Sequence, residues 1–192
     1  MNSSKGTLRI IGGKYRSRRL RVPARPGLRP TGDRVRETLF NWLGQDLSGL
    51  ACLDLYAGSG ALGFEAASRR AARVVMVERD RAARAGIERS LALLGAGNVE
   101  VRGGDAAQFL SRSRERFDVV FLDPPFRQNA HAAILAALAP RLAPGARVYV
   151  ESEAPVGVAA PWTELQRARA GQVSYQLLRW DGHDPGGVSG NV

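Results

Sequence analysis

The pattern that most constrains the fold begins at residue 50, where short apolar runs start to alternate with helical stretches. We predict strands at 51–56, 73–78, 98–102, 117–122 and 146–151, and helices at about 61–70, 80–94, 105–112 and 128–139. Strands that are apolar throughout are typical of a parallel sheet covered on both faces. The alternation therefore predicts a doubly wound, mostly parallel, Rossmann-like α/β sheet. An antiparallel hairpin at 163–169 and 173–180 extends it to seven strands.

A smaller unit precedes this sheet. Residues 7–11 and 18–22 read as short strands around Gly12-Gly13-Lys14-Tyr15, which is a hairpin-like turn signal. After a loop punctuated by prolines, apolar residues at helical spacing predict a helix that Asp33 or Thr31 caps. We therefore predict a basic arm at 1–32, a sheet domain at 33–180 and a glycine-rich, flexible tail at 181–192.

The basic residues are concentrated at one end of the chain. The formal net charge is +10, from 28 basic and 18 acidic residues. Residues 1–40 contain 11 basic and 2 acidic side chains, or +9, which leaves 17 − 16 = +1 for the remainder. Such an asymmetry indicates a polyanionic partner, most simply a nucleic acid.

The remaining composition excludes several classes of protein. The single cysteine, Cys52, lies in an apolar run, so we predict a buried core thiol in a reducing cytoplasm rather than a disulfide framework. No stretch approaches the roughly 18 apolar residues of a membrane span. His131 and His183 have no companions at metal-ligand spacing, so we expect no metal. We also expect a monomer.

A glycine-rich turn follows the first strand of the predicted sheet and opens a helix. Gly58-Ser59-Gly60-Ala61-Leu62-Gly63 matches G-x-G-x-x-G, a pattern that permits a tight turn and close approach of the backbone to a ligand. Glu78 ends the second predicted strand, where a carboxylate can accept hydrogen bonds from two ribose hydroxyls. Because the strand and the helix are both in place, the pattern predicts a nucleoside pocket rather than a plain turn.

Two ligands fit this pocket, a dinucleotide and S-adenosylmethionine. Asp54, beside the turn, would repel a pyrophosphate but suits the cationic aminoacyl end of S-adenosylmethionine. Asp105, after the third strand, can accept from an adenine amine or cap the next helix, and the two roles can coexist.

The sequence FLDPPF, residues 121–126, places a carboxylate, two prolines and an aromatic ring at the end of the fourth strand. The carboxyl ends of parallel strands share one edge of the sheet, so this motif borders the same crevice as the predicted nucleoside pocket. The Asp123 carboxylate and the Pro124 carbonyl can accept hydrogen bonds from both N–H groups of an exocyclic amine, which turns its lone pair toward an electrophile. Phe126 offers a face on which a base can stack. The motif therefore predicts alkylation of a base amine.

These motifs carry a resemblance to a known family. LDLYAGSGALGFEA and FLDPPF resemble the class I methyltransferases of exocyclic base amines, whose signature is (D/N)-P-P-(Y/F). RIIGGKYRSRRL, LRPTGDRVRETLFNWL and VYVES are similar to the bacterial RsmD-type family, which makes N2-methylguanine in 16S ribosomal RNA. The resemblance runs from about Leu8 to Trp180. It implies S-adenosylmethionine as cofactor, a guanine-966 type of target, and an assembled or partly assembled small subunit as partner.

The residue patterns and the resemblance together give the predicted sites. For the cofactor we expect Asp54, Tyr56, Ala57, Gly58, Ser59, Gly60, Glu78, Arg79, Asp105 and Ala106. For the base and its catalysis we expect Asp123, Pro124, Pro125 and Phe126. For RNA phosphates, which arginine forks bind well, we expect Arg16, Arg18, Arg19, Arg21, Arg29 and Arg34. Arg34 and Arg36 can instead orient a loop over the cofactor or form a polar helix face.

Three other functions stay open at this point. A DNA amino-methyltransferase would use the same D-P-P-F chemistry, although so short a chain leaves no room for a separate target-recognition domain. A non-catalytic RNA-binding or ribosome-assembly protein would not need Glu78 and Asp123. A dehydrogenase is disfavoured by Asp54 and by D-P-P-F.

Overall fold

The structure is a computed structural model that describes residues 6–22, 32–124 and 130–182. The strands are β1 (Thr7–Arg9), β2 (Arg19–Arg21), β3 (Ala51–Asp54), β4 (Arg73–Glu78), β5 (Val99–Gly103), β6 (Phe117–Leu122), β7 (Leu142–Ser152), β8 (Trp162–Ala170) and β9 (Val173–Trp180). The helices are α1 (Asp33–Leu43), α2 (Ala61–Ser68), α3 (Arg81–Leu94), α4 (Ala106–Arg112) and α5 (Ala130–Leu138). In the part of the chain described here, no helix combines the length and apolarity needed to cross a membrane.

Seven strands form one sheet in the order β5-β4-β3-β6-β7-β9-β8. The first five are parallel, whereas β9 runs antiparallel to both of its neighbours. The predicted doubly wound, seven-stranded fold is therefore confirmed. From β3 the chain proceeds outward to β4 and β5 and then returns to β6 on the other side. The carboxyl ends of β3 and β6 thus flank the topological switch point, where open α/β sheets bind their ligands.

Two hydrophobic clusters cover the two faces of this sheet. Cys52 and Val119 belong to one cluster, while their chain neighbours Leu53 and Val120 belong to the other. This alternation is the period of two expected for strands that are buried on both faces. Cys52 has no exposed surface, and burial raises the pKa of its thiol to about 12, which confirms the predicted core thiol.

The N-terminal hairpin differs in detail from its prediction. β1 and β2 pair antiparallel but are shorter than predicted, and the loop that holds Gly12 and Gly13 includes a turn in which the Gly13 carbonyl accepts from the Arg16 N–H at 3.2 Å. These glycines lie against the end of α2, where a Cβ on Gly12 would overlap the Arg69 guanidinium and one on Gly13 would overlap the Ser68 carbonyl. The glycines are therefore needed for close packing on the sheet domain.

The start of α1 corrects a second expectation. Its N-cap is Gly32, and no side chain caps the helix, so Asp33 is the first helical residue rather than the cap. Asp33 instead accepts from the Arg36 guanidinium at 2.6 Å. Thr31 lies outside the described residues. The division of the chain into an arm, a sheet domain and a tail stays a prediction, and the tail from residue 183 onward is not described.

Candidate active site

The glycine turn lies between β3 and α2, at the switch point. Gly58 and Gly60 have φ of +50° and +78°, a region that glycine enters at little cost. Gly63 serves a different purpose, because a Cβ there would overlap the Met76 side chain on β4. The turn is closed by the Gly60 N–H, which donates to the Ala57 carbonyl at 2.6 Å.

Glu78, at the end of β4, is bonded directly to the glycine turn. One carboxylate oxygen accepts from the Gly58 N–H at 2.8 Å, and the other accepts from the Asp80 N–H at 2.7 Å. Each carboxylate oxygen has a second lone pair, so both can also accept from a ligand hydroxyl. The structure therefore brings the predicted ribose acceptor and the predicted turn into one rigid unit.

Asp54, the last residue of β3, is only 4% exposed and has a role that sequence reasoning missed. Its Oδ2 accepts from the Gly63 N–H at 3.0 Å, which satisfies a donor in the first turn of α2. Burial raises the pKa of Asp54 to about 7, against the opposing bond from Gly63 and with a smaller contribution from the Glu78 charge. A buried carboxyl of this kind is well suited to pair with a cationic group.

Asp105 begins α4 as its N-cap, and its Oδ1 accepts from the Ala107 N–H at 2.8 Å and the Gln108 N–H at 3.4 Å. The capping role is therefore present, and the adenine role stays a prediction. Burial raises the pKa of the Tyr56 hydroxyl, and the charge of the nearby Asp105 raises it further. Of the other predicted cofactor residues, Ala57 and Ala106 are buried, Ser59 is half-buried and Arg79 is exposed.

Asp123 and Pro124 lie directly after β6, beside Asp54. Asp54 is in register with Phe121, two residues before Asp123, so the two carboxyls meet at the same sheet edge. Burial raises the pKa of Asp123 well above its usual range, and the Glu151 and Asp54 charges raise it further. Pro124 is buried. Pro125 and Phe126, the other two predicted residues of this motif, lie outside the described residues.

The structure adds Glu151 and Tyr149, on β7, to this site. Glu151 is 7% exposed, and its Oε1 accepts from the Tyr149 hydroxyl at 2.8 Å. Burial and the neighbouring Glu151 charge raise the pKa of Tyr149 well above its usual range. The available signal was the acid of VYVES at the end of the strand next to β6, but its contact with the site required knowledge of the strand order.

A buried ion cluster connects the hairpin to the helix that follows the glycine turn. Glu65, on α2, has no exposed surface and accepts from the Arg36 guanidinium at 2.8 Å and the Ile11 N–H at 2.6 Å. The Arg69 guanidinium lies 3.4 Å from the same carboxylate. Arg36 is 1% exposed and also donates to the Arg9 carbonyl, so its interpretation as a polar helix face is wrong.

The predicted RNA-binding arginines that the structure describes are all exposed: Arg16, Arg18, Arg19, Arg21 and Arg34. Arg29 lies outside the described residues. The loop that carries the first two is fixed to the carboxyl end of α2 by bonds from the Lys14 N–H to the Ser68 carbonyl and from the Tyr15 N–H to the Ser68 hydroxyl, of 2.7 and 2.8 Å. No group of three potential metal ligands occurs among the residues described.

Comparisons with known proteins agree with this geometry. The family described as Conserved hypothetical protein 95 matches residues 8–179. Ribosomal RNA small subunit methyltransferase D of Escherichia coli K12 is 47% identical over 93% of this chain and 92% of its own length, and the Haemophilus influenzae protein of that name is 43% identical over 92% and 96%.

Solved structures give the same result. The structure of yhhF from Escherichia coli is 46% identical, with a TM-score of 0.85 over 93% of this chain and all of its own. A precorrin-6y C5,15-methyltransferase from Geobacter metallireducens, at 18% identity and a TM-score of 0.64, shares the fold alone. The chain therefore belongs to the family described as Conserved hypothetical protein 95, the RsmD family of ribosomal RNA small subunit methyltransferases.

Proposed function

We propose that this protein transfers a methyl group from S-adenosylmethionine to the exocyclic N2 of a guanine, of the guanine-966 type, in 16S ribosomal RNA. One observation carries the proposal: the nucleoside-type glycine turn after β3 and Asp123-Pro124 after β6 meet at the switch point of the sheet. The names of the relatives support ribosomal RNA of the small subunit as the substrate. A bacterial enzyme with this substrate would act in the cytoplasm.

The residues of the crevice fit S-adenosylmethionine. Glu78 holds the turn and keeps lone pairs for ribose hydroxyls, while the buried Asp54 carboxyl suits the cationic amino acid end. Asp105 and Tyr56 flank the expected adenine position. When bound, the cofactor would supply an electrophilic methyl group on a sulfonium. The fit rests on the positive φ values of Gly58 and Gly60, which open the turn to a ligand.

Asp123 and the Pro124 carbonyl would orient the guanine amine. Its nitrogen is a weak nucleophile because the lone pair is delocalised into the ring. Two acceptors on its N–H groups, held by a proline that fixes the backbone, favour the geometry in which that lone pair points at the electrophile. Orientation of this kind supplies roughly 7–11 kcal/mol in intramolecular reactions. Pro125 and the stacking ring of Phe126 belong to the same proposal.

The protonation of Asp123 links the two ligands. Burial raises the pKa of Asp123 and the Glu151 and Asp54 charges raise it further, so its carboxylate costs more to form here than in water. A neutral carboxylic acid offers one fewer acceptor position than the carboxylate does. Positive charge in the crevice and N–H donors from the base both favour ionisation. We infer that ligand binding favours the carboxylate form of Asp123, which has the full set of acceptor positions.

The exposed arginines of the hairpin would hold the RNA backbone. Changing Arg16, Arg18 and Arg19 together to Ala is expected to flatten the salt dependence of RNA binding, since each lost phosphate contact removes up to about 0.7–0.9 from the log–log slope. The affinity for S-adenosylmethionine should hardly change, because the crevice is at the other end of α2. A wild-type salt slope in the triple variant would assign RNA recognition to another surface.

The activity itself can be tested by offering labelled S-adenosylmethionine with undermodified small subunits, naked 16S RNA or DNA, followed by nucleoside analysis. We expect N2-methylguanine, formed faster in small subunits than in a plain duplex, because a paired base costs a few kcal/mol to extrude. Label in DNA alone would indicate a DNA amino-methyltransferase. RNA binding without any label would indicate a non-catalytic assembly protein.

A further inference from the structure

A groove of 350 Å³ lies on the far side of the molecule from the crevice. Its walls are the hairpin loop, the carboxyl ends of α2 and α3, and the residues that precede β4 and β5. Lys14 and Arg70 contribute two exposed cations, and Asn98 contributes an amide. Among the described residues that line it, none is acidic. Small residues, including Ala71 and Gly97, also line the groove.

Both cations are carried by well-fixed backbone. The Lys14 N–H donates to the Ser68 carbonyl at 2.7 Å, and the packing of Gly12 and Gly13 on α2 holds the loop in place. Arg70 follows the end of α2 in a Schellman motif. Its N–H donates to the Ala67 carbonyl, and the Ala71 N–H donates to the Ala66 carbonyl. The cations are therefore presented by fixed main chain, which reduces the ordering cost of binding.

Arg70 has an unusual conformation for its residue type. Its φ is +67°, at a helix-terminating position where glycine is the common residue. An arginine there keeps a steric cost that glycine would remove, and such outliers often accompany function. Its ion pair with Asp46 is long, at 3.5 Å, and both side chains are more than half exposed. A phosphate can displace so weak a pair easily.

We propose that this groove is a second RNA site, in which Lys14 and Arg70 hold backbone phosphate of the ribosomal RNA. The inference rests on the proposed function, because it takes that RNA as the substrate. The groove opens where β4 begins, and Glu78 of the crevice lies where β4 ends, so about 20 Å separate them at roughly 3.3 Å per residue. The substrate must therefore contact both edges of the sheet.

The decisive variant combines Lys14→Ala with Arg70→Gly. Glycine suits the backbone of position 70, so this variant is expected to keep or raise its melting temperature while it loses two phosphate contacts. The matched control is Arg167→Ala with Arg169→Ala on β8, which removes the same two charges from exposed positions at the opposite end of the sheet order. Binding of undermodified small subunits is measured across a salt series, beside S-adenosylmethionine affinity.

We expect the salt slope of the groove variant to fall by about 1.4–1.8, and its affinity to fall roughly tenfold, relative to the control. S-adenosylmethionine affinity and kcat at saturating subunits should stay unchanged while KM rises. Equal slopes in the groove variant and the control overturn the groove proposal alone. If the wild-type protein neither binds nor methylates small subunits, the proposed function fails as well.

A crosslinking experiment separates RNA from a ribosomal protein as the occupant. Gly97 is exposed, and a Cβ placed on it meets no atom within 4 Å, so Gly97→Cys can carry a photoactivatable group. The native Cys52 has no exposed surface and will not compete for the label. Crosslinks to ribosomal RNA support the proposal. Crosslinks to ribosomal protein alone, or a yield no higher than from Gln166→Cys on β8, overturn it.

Discussion

Replacement of Glu65 by Ala should destabilise the protein strongly, although Glu65 lies outside the crevice. Its carboxylate has no exposed surface and is shared by Arg36, Arg69 and two backbone N–H groups of the hairpin loop, those of Ile11 and Gly12. The alanine variant would take a buried carboxylate away from two buried guanidinium groups, of which Arg36 keeps its bond to the more exposed Asp33. Removal of one partner from a buried ion pair costs about 3–5 kcal/mol.

That cost should appear as a large change in melting temperature. For a chain of this length, each kcal/mol shifts Tm by about 2–4 °C, so Glu65→Ala is expected to lose roughly 6–20 °C. Burial raises the pKa of Glu65 despite its hydrogen bonds and its two arginine neighbours, so the interior disfavours its charged form. Glu65→Gln, which keeps an acceptor for the Ile11 N–H and removes the charge, should therefore lose less than Glu65→Ala.

Urea unfolding followed by tryptophan fluorescence gives the free energy of unfolding for each variant. The control is Glu100→Ala, because Glu100 pairs with Arg73 and Arg102 on the surface, where an exposed ion pair is worth about 0–1 kcal/mol. Trypsin cleavage after the exposed Arg16 and Arg18 should accelerate in Glu65→Ala only. A loss below about 1 kcal/mol, equal to that of the control, would refute the idea that this cluster holds the hairpin.

The other predictions concern the crevice. Glu78→Ala should weaken S-adenosylmethionine binding by roughly 1.5–3 kcal/mol in calorimetry, since hydrogen bonds to a charged group are lost; an unchanged affinity would contradict the ribose assignment. Asp123→Ala should reduce single-turnover methyl transfer by about 10²–10³ with near-normal cofactor affinity, and equal losses in both would place Asp123 in the cofactor site. Cofactor affinity should rise with pH up to about 7 and then level off, because a cation favours ionised Asp54 and the free protein holds that proton below its pKa. Asp54→Asn should weaken this dependence, of which Asp123 can carry the remainder, and an undiminished rise in that variant would assign it elsewhere.

Short-range patterns in the sequence predicted the elements that decide the fold. β4 and β6 are continuous apolar runs whose predicted limits, 73–78 and 117–122, agree with the structure. For β7 we predicted a start at 146, because Pro144-Gly145 reads as a turn. The strand begins at Leu142 instead, which pairs with Phe117 on β6 before an irregularity in register. Local propensity does not predict a strand that continues through turn residues because the neighbouring strand supplies backbone hydrogen-bond partners.

The candidate site shows the same limit at longer range. Glu78 ends a strand, and the glycine turn and Asp123 each follow one, so the parallel alternation was enough to place them at one edge. The cluster around Glu65 joins residues that are 29 and 54 positions apart in the chain, and no periodicity links them. Arg36 shares the buried face of α1 with Leu39 and Leu43, yet its charge favoured an exposed position, and only the packing of the hairpin explains its burial. Such contacts depend on packing between elements, which a pattern within one element does not encode.

Helix α2 gives these separate contacts a common purpose. Its first turn is held by Asp54 and follows the glycine turn, its centre carries Glu65, and its last turn binds the hairpin loop through Ser68. Eight residues at 1.5 Å per residue span only about 12 Å. The proposed cofactor site and the basic loop are therefore fixed to opposite ends of one short, buried helix. If the proposed function holds, an RNA bound by this loop would therefore be held at a set distance from the methyl donor.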